Sequence, residues 1–328
     1  MKKAVSVLLS ALLLAGLLSA CASAPTPAAQ ENDTLQIVTT IFPVYDWVNS
    51  VLGENPADAE LTMLLDTGVD LHSYQPTADD ILKISTCDLF IYVGGESDAW
   101  VADALKTALN PDMVALNLLD LLGDSVREEE IVEGMQAEEE EDDEDAEEGP
   151  EYDEHVWLSL KNAARIVTAI RDTLSLIDAE NAETYAANAA AYLEQLNALD
   201  AAYAETVASA SGDTLLFGDR FPFRYLTEDY GLNYYAAFVG CSAETEASFE
   251  TVLFLAQKVD ELSLPAVLTI EGTDHRVAET IVQNTAEKNQ PILTLDSMQS
   301  ITAADVANGA SYLTIMESNL AVLRDALQ

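Results

Sequence analysis

The sequence predicts an α/β protein of two βα lobes, each built on a mainly parallel sheet and joined by a long, rigid backbone helix. Three observations lead there: short β-like apolar runs alternate with helix-spaced segments, this alternation occurs twice, and a three-to-four-residue period fills the stretch between. In the first set the strands are Leu35 to Thr40, Glu60 to Leu65, Leu89 to Val93 and Met113 to Leu116. Helical spacing or composition marks Val44 to Leu52, Ala78 to Ile84 and Ala99 to Leu109 between them. The second set has strands at Thr214 to Gly218, Tyr234 to Ala237, Ala266 to Ile270 and Ile292 to Leu295. Its helices are expected at Phe223 to Tyr230, Glu246 to Leu262, Val277 to Lys288 and Tyr312 to Leu327. Strands that alternate with helical patterns are the signature of parallel sheets with crossover helices.

Between the sets, Leu160, Ala163, Val167, Ile170, Leu174 and Ile177 recur every three or four residues. After a break near Asp178 to Asn181, Tyr185, Ala189, Tyr192, Leu196, Leu199, Tyr203 and Val207 do the same. At a rise of 1.5 Å per residue this second helix runs roughly 40 Å, long enough to lie along both lobes. An Ala-rich, interrupted stripe favours packing on its own lobes over a coiled-coil partner. The expected divisions are a signal peptide at 1–20, a tether at 21–33, a first lobe at 34–158, a helical segment at 159–211 and a second lobe at 212–328. The first lobe includes an acidic loop over about 127–153.

The leading segment carries Lys2 and Lys3, an apolar run from Val5 to Leu18, then Leu18-Ser19-Ala20-Cys21. Basic start, short apolar core and small residues form an export signal, too short to rank as a spanning helix. The last four residues resemble a bacterial lipobox, which implies a lipidated Cys21 and an extracytoplasmic protein anchored to the cell membrane. Pro25, Pro27 and small neighbours then read as a flexible tether.

The chain carries 14 Lys and Arg against 58 Asp and Glu, a formal charge of −44. Loss of Lys2 and Lys3 with the leader takes it to −46. Nucleic acid and anionic lipid surfaces repel such a body, while cations gather around it. From Glu138 to Glu154 nearly every residue is acidic, and a segment without apolar residues has nothing to bury, so it reads as a disordered, solvated loop. It ends at His155 and would hold divalent cations weakly. Beyond Cys21 only Cys87 and Cys241 remain. Cys87 adjoins the apolar run Leu89 to Val93 and reads as a buried free thiol, not as half of a disulfide.

Only three histidines occur, so their settings carry information. His72 sits in Gly68-Val69-Asp70-Leu71-His72-Ser73-Tyr74-Gln75-Pro76, a turn after the strand from Glu60. Loops leaving the carboxyl ends of strands are where open α/β sheets bind ligands. His155 sits in Asp153-Glu154-His155-Val156-Trp157-Leu158, where a neutral imidazole can coordinate a metal and a neighbouring carboxylate can fix its tautomer. His275 reads as a surface residue at a helix start. Phe217, Phe221, Phe223 and Tyr225 read as core and cleft wall.

These contexts together resemble the metal-binding solute receptors of bacterial ABC transporters for zinc and manganese, the zinc-uptake or adhesin-type lipoprotein family. The similarity runs through Ile37-Val38-Thr39-Thr40-Ile41-Phe42-Pro43, the His72 to Pro76 turn, and Asp153 to Leu158. Tyr225-Leu226 with Tyr230-Gly231-Leu232, Leu295-Asp296-Ser297, and Gly309-Ala310-Ser311-Tyr312 leading to Asn319-Leu320 continue it in the same order. The resemblance implies a metal held in the interlobe cleft, with His72 and His155 as first-lobe ligands and Asp296 as a second-lobe carboxylate. Where the family places a His or Glu before the Tyr225-Leu226 anchor, this chain has Arg220, which has no lone pair to offer. Either Asp219 takes its place or three protein ligands are completed by water; Asp219 is the expected ligand, with Arg220 paired to a carboxylate in the cleft. Glu271, at a strand end facing the cleft, is a substitute ligand or a support behind the ligands.

Two imidazoles with two carboxylates hold zinc or manganese, and zinc binds more tightly at comparable sites. These ligand types lean toward harder ions and leave the two metals open; the resemblance to a family most often associated with zinc makes zinc the expected cargo, with manganese the alternative. The implied partners are a permease and its ATPase, with the receptor a monomer and not an enzyme. A secreted metallohydrolase is the competing class, but the chain has no His-Glu-x-x-His run and no Gly-x-Ser-x-Gly elbow. A surface adhesion lipoprotein is the third reading.

Overall fold

The computed structural model describes residues 34–54, 58–136, 151–242, 246–272 and 274–328. The expected leader, Cys21, the tether and the densest part of the acidic run lie outside the described residues. Residues 34–328 form one compact unit.

The first lobe carries β1 (Gln36–Thr39), α1 (Phe42–Leu52), β2 (Glu60–Met63), α2 (Ala78–Thr86), β3 (Leu89–Tyr92), α3 (Val101–Leu105), β4 (Val114–Asn117) and α4 (Leu118–Leu122). Its strands lie parallel in the order β2-β1-β3-β4. Sheets covered on both faces bury their central strands entirely. That is why Leu89-Phe90-Ile91 is a continuous apolar run, whereas the edge strand β2 begins on exposed Glu60. Helix α1 turns Val44, Trp47, Val48 and Val51 inward at helical spacing, and Pro43 opens it where a missing N–H costs nothing. Thr77 and Asp80 close a reciprocal capping box on α2. The expected helix over Ala99 to Leu109 shortens to α3, because the chain from Lys106 to Asn110 turns back so that Leu109 N–H reaches Ser85 O at 2.7 Å.

Two helices follow, α5 (Leu160–Ile177) and α6 (Ala182–Ser209). The 28 residues of α6 span about 42 Å. Tyr192 Oη on this helix reaches Asp46 of α1 at 3.2 Å, and Asn188 donates to Val51 O at 3.0 Å. Farther along, Tyr203 Oη donates to Met316 O at 2.7 Å. The second lobe holds β5 (Thr214–Phe221), α7 (Arg224–Tyr230), β6 (Asn233–Val239), α8 (Phe249–Leu262), β7 (Val267–Ile270), α9 (Arg276–Asn284), β8 (Ile292–Leu295), α10 (Ala303–Ala307) and α11 (Tyr312–Ala326). Met316 belongs to α11, so α6 spans both lobes as the pattern predicts.

The second sheet is also parallel, in the order β6-β5-β7-β8, which repeats the first topology strand for strand. Strand β5 outruns its expected end at Gly218 and continues to Phe221 across a register irregularity between Phe217 and Arg220. Phe217, Phe221, Phe223 and Tyr225 are buried in the core, with Phe217 against both Phe221 and Phe223. Cys87 and Cys241 are both free thiols, and Cys87 is buried. Among the described residues no helix is long and apolar enough to cross a membrane.

The flanks of the acidic loop differ from the disordered segment expected over about 127–153. Arg127 pairs with Glu228, Arg224 with Glu130, and Gln136 N–H donates to Ala237 O at 2.9 Å. Met135 is buried. On the return side Glu129 N–H meets Glu151 O and Asp153 N–H meets Arg127 O. The few cationic and apolar residues in residues 127–136 suffice to seat that part on the second lobe.

Candidate metal site

The functional residues gather where strands end. The chain leaving β2 makes a 3₁₀ turn over Leu71–Ser73, opened by Asp70, whose Oδ1 accepts His72 N–H at 3.0 Å. The loop leaving β3 brings Ser97 Oγ to 2.8 Å from His72 Nδ1. Its backbone N–H at Ser97 donates to Glu154 Oε1 at 2.9 Å. Gly95 makes that approach possible: its φ is +79°, and a β-carbon there would stand 2.2 Å from Glu154 Oε1. Asp153 sets His155 doubly, its Oδ1 accepting the backbone N–H at 2.8 Å and facing ring Nδ1 at 3.0 Å.

With both Nδ1 atoms engaged, the two Nε2 atoms face each other at 3.2 Å. Two bare lone pairs would repel at that distance, so a proton or another cation has to lie between them. Electrostatics sort the proton. Burial disfavours charge on His155, yet the Asp153 carboxylate, through its charge and hydrogen bond, and Glu154 beyond it outweigh burial and hold its pKa above the ordinary value. Burial pushes His72 down to about 3, helped by the neighbouring His155 and by Arg220 and opposed by Asp70. Positive charge is thus favoured on His155 and disfavoured on His72. A divalent cation fits the same place. Two imidazole nitrogens on a tetrahedral zinc stand about 3.3 Å apart, given Zn–N bonds near 2.05 Å.

Among the described residues, the group of three or more His, Cys, Asp or Glu side chains with ligand atoms mutually within 4.8 Å is His72, His155 and Cys241. The structure thus joins the two expected histidines and adds a cysteine; Asp219 and Asp296 stand outside the group. Asp219 is turned to the backbone: its Oδ1 accepts Arg220 N–H at 2.9 Å and its Oδ2 accepts Ile270 N–H at 3.2 Å, fastening β5 to the end of β7. Arg220 instead reaches across the cleft, its Nη2 2.6 Å from Asp70 Oδ2, which is the carboxylate pairing expected of it. Asp296 follows β8, its Oδ1 accepting Met298 N–H at 2.7 Å. Burial and the charge of Glu271 push its carboxyl up to about 6. Glu271 is a clamp, accepting Ser297 N–H, Ser297 Oγ–H and Gln299 N–H and so shaping the loop that carries Asp296. His275 stands at the start of α9, away from the group.

Cys241 lies just past β6, with its N–H on Glu129 Oε1 at 3.2 Å. Burial, then the carboxylates of Glu129, Asp153 and Glu154, push its thiol far up, so without a cation it stays protonated. A cavity of about 240 Å³ opens on the group, lined by His72, Ser97, Glu154 and Cys241 and by the outer carboxylates Glu96, Glu129 and Glu151. It is an acid-walled approach to the His72 imidazole and the Cys241 thiol, with His155 buried behind them. Sequence reasoning passed over Cys241, considering it only as a partner for Cys87 and setting that pairing aside; its one visible signal was a cysteine after a buried strand in the repeated lobe.

Two parallel-sheet lobes on a spanning helix, with a cation-shaped pair of imidazoles at the strand ends between them, define a two-lobed solute-binding protein. The chain belongs to the ZnuA family, described as "Zinc-uptake complex component A periplasmic", which its residues 37–326 match. It is similar to the zinc-binding lipoprotein AdcA of Streptococcus pneumoniae serotype 4, at 34% identity over 315 residues covering 95% of this chain and 60% of that protein. The chain therefore spans about 60% of the length of that relative. The high-affinity zinc uptake system protein ZnuA of Bacillus subtilis strain 168 is 27% identical over 95% of this chain and 94% of its own. Among solved structures, the Zn(II)-bound ZnuA-like domain of S. pneumoniae AdcA aligns with a TM-score of 0.70 at 30% identity, covering 90% of this chain and 99% of that domain.

Proposed function

We propose that this protein is an extracytoplasmic receptor that captures zinc and delivers it to the permease and ATPase of an ABC transporter. The observation that carries this reading is the pair of Nε2 atoms 3.2 Å apart, each ring braced at Nδ1 by Ser97 or Asp153. Braced imidazoles with converging nitrogens are ligands held ready, because the outer hydrogen bonds fix ring orientation and raise ligand basicity. His72 and His155 hold the ion. Asp296 is the second-lobe carboxylate we assign to it: Trp157, two residues past His155, donates to Ser297 O at 2.8 Å and so ties that loop to the histidine turn. Zinc is favoured over manganese by the imidazole pair and by the relatives, which are named for zinc. The receptor works as a monomer, without catalysis, anchored through Cys21.

Isothermal titration with zinc and with manganese tests this. The wild-type protein is expected to bind zinc tightly and manganese more weakly, and His72→Ala or His155→Ala to lower zinc affinity by at least about 100-fold, more than loss of an outer hydrogen-bond partner costs. A protein that takes up neither ion, or histidine variants that bind as well as wild type, would remove the reading in favour of the adhesion alternative.

A further inference from the structure

We propose that the Cys241 thiolate is the third ligand of the bound zinc, supplied by the second lobe where Arg220 cannot serve. This rests on the receptor reading above and specifies its donor set. Three independent features of the fold converge on it. The sulfur shares a mutual 4.8 Å sphere with a ring nitrogen of each histidine. A thiolate and an imidazole on one tetrahedral zinc stand about 3.6 Å apart, so the free site lies within roughly an ångström of the bound arrangement.

The second feature is Gly240. A β-carbon there would meet His155 Cε1 and Phe221 O at 3.0 Å and His155 Nδ1 at 3.1 Å. A β-carbon there would crowd the buried ring, so glycine lets the end of β6 press against the imidazole and bring the next residue, Cys241, into the group. The Glu129 contact with Cys241 N–H then pins that backbone from the first lobe. The third feature is Glu154, which lines the same cavity. It is only 2% exposed, and among the described residues its Oε2 has no hydrogen-bond partner, standing 3.7 Å from His72 Nδ1. A buried carboxylate oxygen without a donor calls for positive charge nearby, and a divalent ion between the imidazoles and the thiol supplies it.

On binding, the S–H bond is exchanged for an S–Zn bond; the electron pair stays on sulfur and the proton leaves to solvent. A thiolate in the set has a consequence for selectivity. Sulfur ligands favour zinc strongly over manganese, which prefers oxygen. The carboxylate-only chemistry of the acidic segment therefore does not set the cargo. Arg220 is also accounted for: its ion pair with Asp70 joins the lobes where no third nitrogen is needed.

Cobalt(II) is the probe. Loaded into the protein in place of zinc, it gives a near-ultraviolet sulfur-to-metal charge-transfer band when thiolate-bound and none when held by nitrogen and oxygen alone. The wild-type protein is expected to show the band, and Cys241→Ser to lose it while Cys87→Ser keeps it. Zinc affinity of Cys241→Ser should fall more than about 100-fold and its zinc-over-manganese preference should narrow. Circular dichroism of Cys241→Ser and Cys241→Ala shows whether the fold is kept. Cobalt bound in a His72-dependent way but without the band overturns the thiolate and leaves the receptor reading standing. Binding of neither ion overturns both.

Discussion

At the scale of single residues, buried charge leaves a mark on stability that can be measured apart from metal binding. Asp98, 3% exposed, lies in the loop that presents Ser97 to His72, with its Oδ2 accepting Gly94 N–H at 3.0 Å. Burial, opposed by that hydrogen bond and reinforced by the charge of Glu154, pushes its carboxyl up to about 7 from an ordinary 3.8. The folded protein therefore holds a proton between about pH 4 and pH 7 that the unfolded chain has released, and stability falls as pH rises through that window. Asp98→Asn removes this component. In urea denaturation of zinc-free protein, the stability lost between about pH 5 and pH 8 should be smaller in the variant by about 2–3 kcal/mol; equal losses would mean Asp98 ionises freely in the fold. The same scale explains which site residues could be read from sequence. His72 and His155 stood out because histidine is rare here and each sits in a turn beside carboxylates. Asp219 looked equally apt on paper. Only the fold shows that its oxygens are taken by the amides of Arg220 and Ile270. Cys241 could not be found from spacing, since it is 86 residues from His155 and meets it only through the end of β6.

Elements were more legible than sites, because strand and helix periods are local while ligand sets are not. The repeated βα alternation gave both sheets, and the stripe from Tyr185 to Val207 gave α6. What escaped the period were pieces set by a cap or a partner. Thr302 and Asp305 nucleate the short α10 through a capping box, and β5 continues past Gly218 because β6 pairs with it beyond the irregularity. The join between elements has its own test at Asp46. One oxygen, Oδ2, accepts Tyr312 N–H at the start of α11 at 3.1 Å and Tyr192 Oη–H on α6 at 3.2 Å. Burial raises the Asp46 carboxyl, against these two hydrogen bonds, so it is a largely buried acceptor that serves two donors through one oxygen. Asp46→Ala leaves a buried amide and a buried phenol without partners, each costing about 1–3 kcal/mol. Thermal or chemical denaturation should show a loss of roughly 2–4 kcal/mol, with zinc affinity within a few-fold of wild type because no ligand is touched. A change below about 0.5 kcal/mol would mean that water takes over both donors, as at a surface position.

At the scale of the whole molecule, the question is how far the lobes move when the ion arrives. Hinged receptors close around a solute through a few flexible connections, whereas here the connection is a helix of 28 residues bonded at both lobes. Further ties cross the cleft without any metal. Arg220 holds Asp70, Trp157 Nε1–H holds Ser297 O, Tyr225 Oη–H holds Asp153 O at 2.7 Å and Tyr312 Oη–H holds Trp157 O at 2.7 Å. Thr67 and Thr302 pair in an antiparallel bridge that joins the lobes as well. Rotating one lobe against the other would break several of these buried bonds at once, at about 1–3 kcal/mol each for groups left unpaired. The ion has little such energy to spare, since its two imidazoles already stand at the bound spacing. Adjustment should therefore be confined to the loops bearing Cys241 and Asp296. A compact body of this length has a radius of gyration of about 19 Å. Solution scattering of zinc-free and zinc-loaded protein should differ by less than about 0.5 Å against that size, and a contraction of about 1 Å or more on loading would show that the helix and the cross-cleft bonds yield together.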